Sequence, residues 1–407
     1  MKLVINAASA KMGGALRYIS SLLEYLPGAF ADSEIVVLLP PETAAKLENV
    51  SPNVRLAPVA ISHASWWRRL WWDWVTLRRL VRKEKADALF AIGNFGLWHC
   101  PARQVLLVNN ALYFSEAYWR LCVSKHPLRR RIELRLRRWL AINSARNADV
   151  VMLPSEAMLC ELGRFVKVGN GQALVNPYGT AETCDTPPRR SAAKSHEPVR
   201  LLFVSLYAEH KNLATLLRAM PILNASASCV FELTTLANPA WENIGWSRTW
   251  QGDLELARRP DVSKHVRLAG PLNHAETLRL YGQADVVVFP SFVESFGFPM
   301  VEAMAHGLPI VAADTPINRE ICQDAAVYFA PFDEADLARK ILDVHRDADL
   351  RASMASAGPR RVAGHFRWEA HVQRLAEAIS GEESGERAWK GRAARRVEWE
   401  LRSPSSF

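Results

Sequence analysis

Glu294-Ser295-Phe296-Gly297-Phe298-Pro299-Met300-Val301-Glu302, entered through the run Ala284-Asp285-Val286-Val287-Val288-Phe289-Pro290, is the stretch whose reading decides the fold. Four consecutive apolar, mostly β-branched residues ended by a proline predict a parallel strand covered on both faces. Pro299 suits the start of a helix, where its missing N–H costs nothing, and Gly307 followed by Pro309 predicts the stop. Glu294 then lies in the loop after a strand, and Glu302 about one turn into a helix. The backbone amides around Phe296, Gly297 and Phe298, the positive end of a helix dipole and two carboxylates share one small volume, a combination suited to a phosphate-bearing polyol. The plainer alternative is a solvated loop residue and a first-turn complement to the dipole.

Working outward, apolar strands alternate with helical patterns in both halves of the chain. They are Leu3–Asn6, Glu34–Leu39, Ala88–Ala91, Gln104–Val108 and Val150–Leu153, then Arg200–Val204, Val230–Thr234, Val266–Leu268, Val286–Phe289 and Ile310–Ala312. This predicts an α/β protein with two doubly wound parallel sheets, whose ligands sit at the C-terminal strand ends. The expected division is a first domain over 1–182, a linker over 183–198 containing Pro187-Pro188, and a second domain over 199–364. A helix over 365–380 and a polar tail over 381–407 follow.

The 407 residues, 49% hydrophobic and 23% charged, suffice for two ordinary cores. Net charge is +9, and the basic excess is confined to residues 1–180, which hold 24 Lys and Arg against 13 Asp and Glu. Such a field draws an anionic surface or substrate to the first domain. The six cysteines show no metal-ligand spacing and are expected to be reduced thiols. Met1 to Asn6 reads as a first strand rather than a leader, and no apolar run reaches the roughly 18 residues of a membrane span.

Two further loops carry candidate chemistry. Phe203-Val204-Ser205-Leu206-Tyr207-Ala208-Glu209-His210-Lys211 follows the first strand of the second half, where Lys211 could reach a phosphate; a plain surface lysine is the alternative. In Lys11-Met12-Gly13-Gly14-Ala15-Leu16-Arg17-Tyr18, the paired glycines let a backbone approach an anion at a helix start, or simply make a tight turn.

Two helices of the first half are rich in arginine. Over residues 65–82 the stripe Trp67, Leu70, Trp71, Trp74, Leu77 and Val81 is predicted to face the core, leaving Trp72 outward between Arg68 and Arg79. Over Leu128 to Ala141, Leu128, Ile132, Leu136, Trp139 and Leu140 are predicted inward, with the arginines largely outward. Either face suits a solvated surface or an anionic membrane headgroup layer.

From Val266 to Glu320 the chain carries Leu280-Tyr281, Ala284-Asp285, Pro290-Ser291, Glu294 to Glu302, Ala303-Met304-Ala305, Gly307 to Ala312 and Glu320 at spacings that resemble the retaining GT-B nucleotide-sugar glycosyltransferases of family 4. The resemblance implies a GT-B fold, two Rossmann-like domains facing across a cleft, and a helix near the C-terminus crossing back onto the first domain. It implies transfer of a hexose, with retention, from a UDP- or GDP-linked donor to a hydroxyl of a glycan or lipid-linked acceptor. Glu294 would hold the hexose hydroxyls and Glu302 the ribose. Lys211, with Ser205 beside it and the amides of Gly13, Gly14, Phe296, Gly297 and Phe298, would hold diphosphate and sugar. Arg17 would face the acceptor side together with Trp72, Arg68 and Arg79.

No cofactor or metal is expected, because a lysine and amide dipoles can neutralise the leaving group. The expected location is cytoplasmic, with a peripheral contact to the inner face of the cell membrane left open, and nucleic acid has no supporting motif. The chain departs from the family at two places. Leu206 stands where an arginine commonly accompanies the lysine, and Asn109-Asn110 stands where many relatives carry His-Asp. Asn110 can bond a hydroxyl but cannot act as a base. A catalytically silent nucleotide-sugar-binding or scaffold subunit is therefore the second reading.

Overall fold

In the computed structural model the described residues are all except 12, 48–49, 62–67, 69–70, 168, 170, 181–197, 228, 239–248 and 382–407. The expected linker up to residue 197, Cys184, Trp67, Leu70 and the tail after Gly381 lie outside the described residues.

Two all-parallel sheets form the scaffold. The first comprises β1 (Lys2–Asn6), β2 (Glu34–Leu39), β3 (Val54–Pro58), β4 (Ala88–Ile92), β5 (Arg103–Leu107), β6 (Val150–Leu153) and β7 (Ala173–Val175), in the order β3-β2-β1-β4-β5-β6-β7. The second comprises β8 (Val199–Phe203), β9 (Phe231–Thr235), β10 (Val266–Leu268), β11 (Val286–Phe289), β12 (Ile310–Ala313) and β13 (Ala326–Phe329), in the order β10-β9-β8-β11-β12-β13. β11, the strand of the deciding stretch, is buried along its whole length and pairs Val288 with Val311 of β12. Each sheet reverses its strand order beside its first strand, which opens a crevice at the C-terminal ends of β1 and β4 and of β8 and β11.

Strands β3, β7 and β13 were not anticipated. All three lie at sheet edges; Arg55 interrupts the apolar run of β3, and β7 and β13 are apolar runs of only 3 and 4 residues.

The helix Trp368–Ser380 returns from the second sheet to the first domain and packs on the helix Gly13–Ala29. His371 sits at the seam, fully buried, with Nε2 2.9 Å from the Tyr18 hydroxyl and Nδ1 3.0 Å from the Pro177 carbonyl. Asn176 donates to the His371 carbonyl at 2.9 Å and accepts from Arg374 at 3.0 Å. Burial pushes the His371 ring down to about 3, so it is neutral.

The two arginine-rich helices differ from expectation. Residues Trp72–Thr76 form a π-helical turn before the helix Leu77–Lys83. Its wider i→i+5 pitch brings Trp72 round to the side of Leu77, where it packs partly buried against the core, and turns Trp71 outward, 66% exposed. Trp71, not Trp72, is the exposed ring. In the helix Leu128–Arg146 the buried side is Leu134, Leu140, Ala141, Ser144 and Ala145, so Leu140 faces inward as expected. Leu128, Ile132 and Trp139 lie opposite and are exposed at 65%, 55% and 50%. Trp74, Trp98 and Trp139 form a chain of rings 4.6 and 5.5 Å apart that joins the two helices.

Candidate active site

The segment after β11 builds the core of the site. Gly297 caps the helix Phe298–Ala305 with φ 85°, a left-handed conformation that favours glycine, while a Cβ there would press only on the movable Met300 methyl. The helix ends as the sequence indicated: Leu308 N bonds Ala303 O and Gly307 N bonds Met304 O, with Gly307 at φ 62°.

Glu294 stands in the loop before this helix and pairs with Lys211 Nζ at 2.5 Å. Lys211 ends a short turn, Glu209–Lys211, after β8, and the two loops are tied together by several bonds. Phe292 N donates to the His210 carbonyl at 3.1 Å, and Asn212, at φ 53°, donates to the Pro290 carbonyl at 3.3 Å. Topology therefore brings the predicted Glu294 and Lys211 together although 83 positions separate them. The neighbouring Ser205 hydroxyl donates to the Leu206 carbonyl at 2.8 Å.

Glu302 is only 4% exposed. Tyr281 OH donates to its Oε2 at 2.7 Å, and Arg17, from the first domain, forms an ion pair with its Oε1. The Arg17 guanidinium lies 5.3 Å from the Phe298 ring centre. Burial lowers the Arg17 pKa. Arg17 thus turns toward the second carboxylate rather than toward an outer acceptor face. Gly13 and Gly14 reach the same wall: a Cβ on Gly13 would lie 3.8 Å from Leu206 Cδ1, and one on Gly14 3.6 Å from Phe298. Behind them Tyr178 stacks on Phe298 at 5.3 Å and tilts against Phe296 at 4.8 Å.

Across the crevice, Asn110 caps a short turn, its Oδ1 accepting from Leu112 N at 3.0 Å. The amides of Asn109 and Asn110 both donate to Asn94 Oδ1 at 3.0 Å, and Asn94 donates back to the Asn110 carbonyl. Asn94, fully buried at φ 73°, organises this corner and was not singled out from sequence. Its place after Gly93, at the end of a strand, is the signal that could have found it. Tyr281 was legible only as part of a motif, with no sign of its hold on Glu302.

Two more contacts join the domains. Ser155 donates to the Ser295 carbonyl at 2.9 Å, and His126 Nε2 lies 3.6 Å from Glu209 Oε2. Asp347-Ala348-Asp349 has the spacing of a carboxylate metal clamp, but Asp347 is engaged in capping Leu350 N at 2.8 Å. Among the described residues no group of three or more His, Cys, Asp or Glu is placed to hold a metal.

The pair of parallel sheets, with a lysine–carboxylate pair at the C-terminal strand ends, defines a GT-B architecture. Comparison with known proteins agrees. Residues 12–179 match the family described as Glycosyltransferase Family 4, and residues 186–361 match Glycosyl transferases group 1. The chain is thus similar to the group 1 and family 4 glycosyltransferases along both of its domains. It is 29% identical over 168 residues to O-antigen chain mannosyltransferase B of Escherichia coli, covering 41% of this chain and 42% of that protein. It is 30% identical over 225 residues to a phosphatidyl-myo-inositol mannosyltransferase of Mycolicibacterium smegmatis, covering 53% and 52%. The chain thus spans about half the length of the curated relatives it matches. Among solved structures, sucrose-phosphate synthase from Thermosynechococcus elongatus superposes with a TM-score of 0.73 at 18% identity, covering 93% of this chain and 98% of that one. Anabaena Alr3699/HepE in complex with UDP and glucose gives 0.68 at 18% identity, covering 93% and 99%.

Proposed function

We propose that this protein transfers a hexose from a nucleoside diphosphate sugar to a hydroxyl of a glycan or lipid-linked acceptor, with retention of anomeric configuration. The observation that carries the reading is the Lys211–Glu294 pair at the ends of β8 and β11, set beside the glycine-opened helix start of the opposite domain. In this reading Glu294 holds hexose hydroxyls, Glu302 the ribose, and Lys211 with the glycine amides the diphosphate. With Asn109-Asn110 in place of a His-Asp pair, the leaving phosphate takes the acceptor proton on the same face as the departing bond. The residues orient the reactants and stabilise the developing charge. The relatives named as mannosyltransferases support a hexosyl donor, and the HepE complex supports a uridine nucleotide as the first to try. Release of UDP or GDP from UDP- or GDP-hexoses, with the product anomer read by NMR, tests it; an inverted product removes retention, and no release from any donor removes the activity.

The second reading, a silent nucleotide-sugar-binding subunit, is favoured by the commitment of the Asn110 side-chain oxygen to its own turn and by Leu206. Tight nucleotide binding without turnover would select it.

We also propose a peripheral contact with the anionic inner face of the cell membrane, which places the protein in the cytoplasm. Exposed Leu128, Ile132, Trp139 and Trp71 among exposed Arg129 and Arg135 support it, each arginine near anionic lipid contributing about 1 kcal/mol. No helix among the described residues is long and apolar enough to cross a membrane. Co-sedimentation with phosphatidylglycerol vesicles, lost on Ile132→Asp with Trp139→Ser, is expected. Equal retention of the wild-type protein by neutral vesicles would exclude the anionic contact.

A further inference from the structure

Among the described residues, the second domain brings one lysine to the ends of β8 and β11, where a diphosphate calls for more than one cation. Lys211 is the basic residue at the end of β8, and it already faces Glu294. Position 206, five residues earlier, offers a leucine whose Cδ1 lies beneath Gly13, so that spot is apolar and covered. Arg17 stands one helical turn beyond Gly13 on the same side of the helix, and its guanidinium already reaches across to Phe298 and Glu302.

We infer that Arg17, supplied by the first domain, is the second arm of the diphosphate clamp, released from Glu302 when a ribose hydroxyl takes that carboxylate. The inference rests on the donor reading proposed above. Glu302 Oε2 is held by Tyr281, so the oxygen open to exchange is Oε1, the one Arg17 occupies. A guanidinium displaced there stays charged, and its planar fork matches the phosphate oxygens in a bidentate way. Gly13 and Gly14, about 5.4 Å back along the helix, lie against the same wall, beside Leu206 and Phe298. The phosphates would then draw the two domains together, Lys211 pulling from one side and Arg17 from the other.

Calorimetric titration of the whole protein with UDP, UMP, GDP and GMP tests the assignment. Wild type is expected to prefer the matching diphosphate over its monophosphate by at least about tenfold, as charge-assisted contacts to the outer phosphate require. Arg17→Met should bring that ratio toward one while leaving monophosphate affinity nearly unchanged. Arg17→Gln, which keeps a donor for Glu302 without the charge, should do the same and serves if the methionine variant does not fold. An equal loss for both ligands would make Arg17 only a positioning group for Glu302, and an unchanged ratio would remove it from the phosphates; either overturns the inference. Absence of any nucleotide binding by the wild type would instead bring down the donor reading, and this inference with it.

Discussion

The carboxylate of Glu320, in the second domain, accepts the backbone amide of Glu156, in the first, at 2.7 Å, and its other oxygen accepts Ala157 N at 2.8 Å. A side chain of one domain thereby caps the opening of the other domain's helix Glu156–Gly163, beside the Ser155 bond to Ser295. Burial, and then the Glu320 charge, push the Glu156 carboxyl up to about 7. A carboxyl with a raised folded-state pKa adds stability below its ordinary value of 4.5, and that stability is lost as pH rises through about 7. Thermal melts from pH 4.5 to 8 should therefore show wild type falling relative to Glu156→Gln by about 2–4 °C, a size reduced by solvent screening at this half-exposed group. Parallel curves would show that Glu156 does not titrate in this window.

Gly179 has no room for a side chain. A Cβ there would sit 2.3 Å from the Trp368 backbone nitrogen and 2.6 Å from its Cα, so the crossing helix would have to move bodily. Gly179→Ala is expected to cost about 2–3 kcal/mol in urea unfolding, as overpacking against backbone does. Wild-type stability would mean that the helix shifts freely on its seat.

His371 is held neutral between the Tyr18 hydroxyl and the Pro177 carbonyl. Its folded-state pKa is depressed from 6.5 to about 3, so the stability it contributes is present above 6.5 and lost as pH falls toward 3. His371→Ala is expected to cost about 2–4 kcal/mol at pH 7 by leaving a cavity and an unpartnered tyrosine hydroxyl. Chemical denaturation at pH 7.5 and 5 should show this difference shrinking at the lower pH; a constant difference would contradict the buried neutral ring.

On the proposed donor reading, Lys211→Met should lower turnover by about a hundredfold or more, because charge would develop on a leaving diphosphate beside it. Glu294→Gln should cost a comparable amount, and the double variant less than the product of the two, since the residues act on each other at 2.5 Å. Independent, multiplicative losses in nucleotide release would separate them into two unconnected roles.

Much of this was legible in the chain. The run of valines before Phe289, the Pro299 start and the Gly307 stop each bear a local physical meaning, and the structure places strand, helix and cap there. Edge strand β3 was illegible because Arg55 breaks its apolar run, and β7 and β13 because three or four apolar residues alone do not distinguish a strand from other apolar segments. Trp71 and Trp72 exchanged sides because a π-helical turn shifts the phase of every residue before it, and hydrophobic spacing alone does not reveal one. The helix Leu128–Arg146 buries the small residues Ala141, Ser144 and Ala145 together with Leu134 and Leu140, so polar and small positions share its inner side. Its big apolar residues misled because size was read as burial. Glu302 was found by pattern, but its Arg17 partner comes from a helix at the far end of the sequence, and no local rule joins them.

The return of the helix Trp368–Ser380 has a consequence for how the polypeptide can be divided. Trp368 stacks on Tyr25 at 6.2 Å and tilts against Tyr18 at 5.7 Å, so residues 1–180 expressed alone would bare two tyrosine faces and leave the Asn176 amide without its His371 carbonyl. The natural cut is not a single point between the halves. A self-sufficient first half would need its closing helix grafted back to cover Tyr18 and Tyr25.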